Sequence, residues 1–191
     1  MTKAALRKLY LTKRQSLSEA EYLQLNHQLC ENFFAHVELS FIKVLHCFIP
    51  IEKNREPNTW LIIDRIRREF PHIRLSIPRI SGDGSLENFF FEGLHQLQQN
   101  SWGILEPKQG IPTETVKIDM VLVPMLIFDM RGNRVGYGKG FYDRFLAACK
   151  PAVKSVGLSL FDPIEEIEDV DVHDIPLSYS VTPTQAFSFQ P

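Results

Sequence analysis

Four of the ten glycines fall in the nine residues from Gly132 to Gly140, within the segment Asp129-Met-Arg-Gly-Asn-Arg-Val-Gly-Tyr-Gly-Lys-Gly-Phe-Tyr-Asp143. The segment joins a hydrophobic run to a helical pattern beginning near Gly140, so its backbone N–H groups can converge on an anion at the positive end of the helix dipole. Glycines at alternating positions permit the positive φ values that curl N–H groups into a nest, and their missing side chains let phosphate oxygens approach. Arg134 and Lys139 add fixed positive charge, and Asp143, one turn into the helix, offers a carboxylate for Mg²⁺ beside the phosphates. Residue types and spacing therefore describe a polyphosphate site. It is not a Walker A loop, which needs glycine at Asn133 and Ser or Thr after the lysine, nor a dinucleotide fingerprint, which needs glycine at Phe141. The competing reading is a tight strand-to-helix connection whose glycines serve turn geometry alone.

The elements that must position this loop alternate between helix and strand. A basic N-terminal segment has Leu6, Leu9 and Tyr10 on one side. Ser18 with Glu21 then forms a capping box ahead of a stripe of Tyr22, Leu25, Leu29 and Phe33. Residues 42–49 are short, apolar and stopped by Pro50, as in a strand covered on both faces. Residues 57–70 form a helix with Ile62, Ile63, Ile66 and Phe70 on one face, followed by a strand over 73–78. Strand, helix and strand at this spacing make a βαβ crossover and hence a parallel sheet. Residues 81–85 read as a turn, 86–91 as an added strand and 102–112 as a surface loop. Residues 120–128 are the most hydrophobic stretch and read as a central strand whose regular part ends at Pro124. A helix over 140–150 and a buried strand over 153–158 complete an α/β pattern.

Composition narrows the function classes. The chain has 191 residues, 44% hydrophobic and 23% charged, enough for one compact domain over 1–191 with a sizeable core. Its net charge of −2 gives no global field for nucleic acid or an anionic membrane, so any anion must be held locally. No apolar run is long enough to span a bilayer and no secretory leader is recognisable, so the expected location is cytoplasmic. Cys30, Cys47 and Cys149 form no pair or ladder, and are expected to be reduced and buried.

Three blocks, Pro124-Met-Leu-Ile-Phe-Asp129, Gly132-Asn-Arg134 and Gly136-Tyr-Gly-Lys-Gly-Phe-Tyr-Asp143-Arg144, resemble the signature of the 5-formyltetrahydrofolate cyclo-ligase family. Lys3-Ala-Ala-Leu-Arg7, Arg14 before Leu17-Ser18, Ile77-Pro78, Trp102 before Pro107, His173-Asp174-Ile-Pro176 and Val181-Thr182 extend the likeness over most of the chain. The resemblance implies a single three-layer α/β domain with a mostly parallel central sheet and helices on both faces. It implies an ATP-dependent, Mg²⁺-requiring enzyme that closes 5-formyltetrahydrofolate to 5,10-methenyltetrahydrofolate, acting as a monomer on a substrate that can carry a polyglutamate tail. On the family pattern Lys3, Arg7, Arg134, Val135, Gly136, Tyr137, Gly138, Lys139, Gly140, Phe141 and Tyr142 reach ATP. Asp143 and Asp174 match metal ligands. Ile51, Glu56 and Trp102, with Tyr137, Gly138, Lys139 and Tyr142, face the folate. Lys139, Arg134 and Tyr142 are the catalytic candidates.

Each residue also has a plainer role. Lys3 and Arg7 suit the wet side of a helix, Glu56 the charge near a helix start, and Trp102 a core or loop anchor. Glu165, Glu166, Glu168, Asp169 and Asp171 read as solvated, and His46 as a satisfied core histidine. Rival functions are a sugar-phosphate isomerase, a non-catalytic folate or nucleotide binder, and RNA binding, the last unsupported by charge or motif.

Overall fold

The computed structural model describes residues 1–101 and 103–189. Two helices, α1 (Lys3–Gln15) and α2 (Glu19–His36), precede the first strand, β1 (Val44–His46). Then come α3 (Trp60–Glu69), the hairpin β2 (Arg74–Ile80) and β3 (Leu86–Phe90), and the small pair β4 (Leu97–Gln99) and β5 (Leu105–Pro107). The second half contains β6 (Met120–Pro124), the hairpin β7 (Ile127–Phe128) and β8 (Arg134–Val135), α4 (Phe141–Ala148), β9 (Lys154–Leu158), β10 (Tyr179–Val181) and β11 (Ala186–Ser188).

Seven strands form the main sheet in the order β11-β10-β9-β6-β1-β2-β3. The inner five are parallel, and β3 and β11 close the edges antiparallel. Residues 120–123 of β6 are all buried but face alternate sides: Met120 and Leu122 meet the cluster beneath α2 and α3, whereas Val121 and Val123 face Phe145 and Leu146 of α4. Helices therefore cover both faces, giving three layers. The chain leaves β1 for β2 on one side and later fills β6, β9 and β10 on the other, so the topology reverses between β1 and β6. Open α/β sheets bind ligands beyond the carboxyl ends of the strands at such a point.

Several boundaries differ from the sequence reading for local reasons. The first strand is shorter than 42–49 because the Phe48 carbonyl accepts from the Thr59 hydroxyl at 2.7 Å instead of a neighbouring strand. The third helix starts at Trp60 rather than Pro57, since the Asn58 N–H is taken by the Asn26 side chain and the Trp60 N–H by that of Asn58. The 120–128 run is not one strand. Pro124 ends β6, and Ile127–Phe128 turns away to pair with Arg134–Val135. Within 102–112, residues 105–107 pair as β5 with β4. On α1, Leu9 is 37% exposed, and the buried residues are Leu6, Tyr10 and Arg14. All three cysteines are free, with Cys30 and Cys47 buried and Cys149 only half-buried.

The β7–β8 hairpin is built around Asp129, which is fully buried. Its Oδ1 accepts from the Arg131 and Asn133 N–H groups at 2.9 and 3.0 Å. Its Oδ2 accepts from the Asn133 amide at 2.9 Å and the Ile167 N–H at 3.2 Å. Gly132 makes the turn at φ 84°, where a Cβ would lie 2.8 Å from Phe189. Asp129→Ala strands these donors at about 1–3 kcal/mol each, so urea unfolding should show a loss of about 3 kcal/mol or more. Met130→Ala, at a side chain 57% exposed, should change stability by less than about 0.5 kcal/mol.

Candidate functional site

A cleft of about 930 Å³ opens at the point where the strand order reverses. The carboxyl ends of β1 and β6 supply Phe48, Ile49, Ile51 and Pro124, and the β2–β3 hairpin adds Pro78, Ile80 and Leu86. Opposite them the loop from Gly136 to Gly140 and the first turn of α4 contribute backbone N–H groups and side chains, and α1 contributes Lys3 and Arg7. Of the residues singled out in the sequence, Lys3, Arg7, Ile51, Glu56, Arg134, Gly136, Tyr137, Gly138, Lys139, Gly140, Phe141, Tyr142, Asp143 and Asp174 all line this cleft. Val135 does not. Its side chain packs with Leu6, Tyr10, Leu126 and Ile127 under α1. Trp102 lies outside the described residues.

The glycine loop is locked to α1. Arg7 Nε donates to the Gly136 carbonyl at 2.9 Å. Gly138, at φ 85°, lets its backbone pass the guanidinium so closely that a Cβ would lie 3.1 Å from Arg7 Cζ. Gly140 caps α4 in the left-handed conformation. Positive φ is confined to these two positions of the loop; Gly136 is not left-handed. Lys139 is exposed at the rim, its carbonyl accepting from Arg144 Nη1 at 3.0 Å.

The charged side chains are paired in an ordered way. Arg134 is buried, its Nη2 donating to Asp143 Oδ1 at 2.6 Å and its Nη1 to the Ile175 carbonyl. The Ile175 N–H also donates to Asp143 Oδ1, at 3.1 Å. Burial lowers the Arg134 pKa, and the nearby Asp143 partly restores it. Lys3 Nζ pairs with Asp174 Oδ2, which also accepts from the Asp171 N–H at 2.6 Å. Burial pushes Asp174 up, but Lys3, that N–H and Arg134 outweigh it, and its pKa lies below the ordinary carboxylate value. Among the described residues no group of three His, Cys, Asp or Glu side chains could hold a metal ion. Two carboxylates, each with one oxygen held by a cation, suit Mg²⁺, which commonly takes one or two carboxylates and completes its shell from phosphates and water.

On the sheet side, Glu56 is buried and its Oε2 accepts from the Ile51 N–H at 2.7 Å. It is held at the end of the 52–54 turn rather than at the start of α3, and burial raises its pKa. Tyr142 points to His46, with Nε2 3.2 Å from the phenol oxygen. Burial keeps that phenol protonated and pushes His46 down to about 3. His46 is a core residue, as its apolar strand implies, and among the described residues its Nδ1 makes no full hydrogen bond, with the Asn88 side chain nearby. The acidic side chains at 165, 166, 168, 169 and 171 are exposed as expected, and Asp174 alone of that stretch enters the cleft.

Residues 1–183 match the profile of the 5-formyltetrahydrofolate cyclo-ligase family. The chain belongs to that family. It is 28% identical over 161 residues to the 5-formyltetrahydrofolate cyclo-ligase of Mus musculus, covering 77% of this chain and 74% of the relative. It is 27% identical over 188 residues to that of Mycoplasma pneumoniae, covering 91% of this chain and 99% of the relative. The solved 5,10-methenyltetrahydrofolate synthetase of Aquifex aeolicus superposes with a TM-score of 0.85 at 29% identity, over 100% of this chain and 94% of its own. Membership of the cyclo-ligase family makes the chain an enzyme.

The sequence reading gave no role to Asp129 or Arg14. Arg14 was detectable, because it falls four residues after Tyr10 and eight after Leu6, on the one buried face of α1. The loop geometry yields a paired test. Gly138→Ala forces a left-handed residue against Arg7 and should destabilise by about 1–2 kcal/mol in urea unfolding. Gly136→Ala, where an added Cβ meets nothing within 4 Å, should stay within about 0.5 kcal/mol of the parent.

Proposed function

We propose that this enzyme catalyses the ATP-dependent cyclisation of 5-formyltetrahydrofolate to 5,10-methenyltetrahydrofolate, with release of ADP and phosphate. The observation that carries the reading is one cleft in which a glycine loop, a helix N-terminus and four cations, Lys3, Arg7, Arg134 and Lys139, face an apolar wall containing a buried carboxylate. Its volume is at the upper end of the roughly 300–1,000 Å³ usual for small-molecule sites. The loop side suits a triphosphate. The wall of Phe48, Ile49, Ile51, Pro78, Ile80 and Leu86, with Glu56 set into it, suits a flat heteroaromatic ring carrying N–H donors. Trp102 is proposed for the same folate surface on the family pattern alone.

The chemistry follows from the substrate. Amide resonance leaves the formyl carbon weakly electrophilic, so its oxygen must be converted to a leaving group. Transfer of the γ-phosphoryl group to that oxygen gives an imidate-like phosphate. N10 then adds to the same carbon, and loss of its proton and of phosphate leaves the methenyl bridge. Phosphoryl transfer calls for positioning and charge neutralisation rather than a protein nucleophile. In this reading the Gly136–Gly140 backbone and the start of α4 hold the phosphates, Arg7 fixes the loop, and Lys139 neutralises charge on the transferring group. Arg134 holds Asp143 in place from its buried seat, and the Tyr142 phenol, kept neutral by burial and oriented by His46, donates a hydrogen bond near the formyl group. Asp143 and Asp174 would hold Mg²⁺, which supplies charge neutralisation between the phosphates.

Absorbance of methenyltetrahydrofolate, followed in 5-formyltetrahydrofolate with and without ATP and Mg²⁺, tests the assignment. Product should require both, with one ADP formed per ring closed. ATP-independent conversion, or binding without turnover, would overturn it. Lys139→Met should lower kcat by about 100-fold or more while KM for the folate changes little, and near-normal kcat would remove Lys139 from its role. Chelation of Mg²⁺ with EDTA should abolish turnover, and added Mg²⁺ should restore it.

A further inference from the structure

Leu6, Tyr10 and Arg14 recur every four residues along α1, and all three are buried. The first two fill a core. Arg14 instead places a guanidinium at 1% exposure, with no carboxylate in ion-pair contact among the described residues. Its Nη1 donates to the Met125 carbonyl at 3.2 Å and its Nη2 to the Tyr137 hydroxyl at 2.5 Å, while Nε has no partner among the described residues. A buried charge so incompletely matched is unfavourable, and an apolar side chain would pack there without that cost. What the guanidinium reaches accounts for its presence. The Tyr137 oxygen accepts from Arg14, which leaves the phenolic proton for a second acceptor, and the neighbours of that phenol are the Glu56 carboxylate and the Asn54 side chain. Tyr137 and Glu56 both line the cleft, whereas Arg14 sits behind them.

We propose that Arg14 is a positioning residue for the folate side of the cleft, fixing the Tyr137 phenol and, through it, the Glu56 carboxylate beside it. This rests on the reading above that Glu56 faces the folate. The groups around Glu56 come from four directions besides its own turn: Arg14 from α1, Tyr137 from the glycine loop, and the phenols of Tyr22 on α2 and Tyr142 on α4. Tyr22 is already committed, donating to the Glu56 backbone carbonyl at 2.5 Å. Burial pushes the Glu56 pKa up; the Ile51 N–H, the Tyr137 hydroxyl and the charge of Arg14 pull it back. Removing the guanidinium or the phenol oxygen therefore raises it further. A ligand that needs the carboxylate is then lost at a higher pH.

The test is calorimetric titration of the intact protein with 5-formyltetrahydrofolate, without ATP, from about pH 5 to about pH 9. Tyr137→Phe and Arg14→Leu should each weaken binding about tenfold at neutral pH and move its acid limb to higher pH. The double variant should be little weaker than either, because both break one chain. Arg14→Lys, which keeps the charge but loses the fork, should leave the acid limb near its original place while losing part of the affinity. ADP affinity should stay within about twofold in the Arg14 variants, whose side chain lies behind the cleft. Tyr137→Phe removes one oxygen and leaves no cavity, so the proposal stays testable if Arg14→Leu does not fold. Unchanged folate affinity in Tyr137→Phe and Arg14→Lys, an unmoved acid limb in Tyr137→Phe, or equal losses for folate and ADP would each overturn it. Glu56→Gln separates the two levels. If it leaves folate binding intact, the folate-facing reading of Glu56 fails. If it abolishes binding while the Tyr137 and Arg14 variants bind normally, that reading stands and the role of Arg14 falls.

Discussion

A carboxylate wholly shut off from water sits between the central sheet and the glycine loop. Asp129 satisfies two N–H groups of its own turn, the amide of Asn133 and the N–H of Ile167, and so fixes a two-strand hairpin that diverts the chain out of β6. That diversion makes the site possible. Had residues 120–128 run on as one strand, Arg134 and the glycines after it would have emerged elsewhere along the sheet. With the hairpin folded over, α1 packs on Leu126, Ile127 and Val135, and Arg7 and Lys3 are carried to the loop they serve.

The second constraint is charge balance within the cleft. Lys3 with Asp174 and Arg134 with Asp143 bring opposite charges together where water is partly excluded, and each carboxylate also accepts a backbone N–H. Under the proposed function, an arriving polyphosphate with a divalent cation would exchange these partners, ammonium to phosphate and carboxylate to metal. This arrangement avoids the large penalty of leaving like charges unmatched in a half-buried pocket, and it fits a protein whose overall charge gives no long-range attraction to anions.

What the sequence revealed and what it hid divide along a physical line. The glycine loop was legible because its residue types are unusual together and because Gly138 and Gly140 need conformations that other residues resist. The α/β alternation was legible through periodicity, and the crossover from β1 through α3 to β2 is present as parallel pairs. Spacing cannot say where a polar partner will come from. The early end of β1 depends on Thr59, and the late start of α3 on Asn26, both distant in the chain. The edge strand β11 and the small β4–β5 pair are three residues long each, too short to carry a period. Arg14 was legible in place but not in role: its position on the stripe was visible, but arginine on a helix is ordinarily read as solvated. Glu56 was placed near a helix start by its neighbours in sequence, and only the fold shows it buried beside Tyr137.

The seats of Lys3 and Arg134 are finished by Asp174 and Ile175, near the end of a 191-residue chain. The α1 helix therefore has its apolar seat once Leu126, Ile127 and Val135 are in place, whereas Lys3 lacks its counter-ion until residue 174 is added. A chain cut before residue 174 would keep nearly all of the residues that line the cleft, yet leave Lys3 without its partner carboxylate and Arg134 without the Ile175 carbonyl.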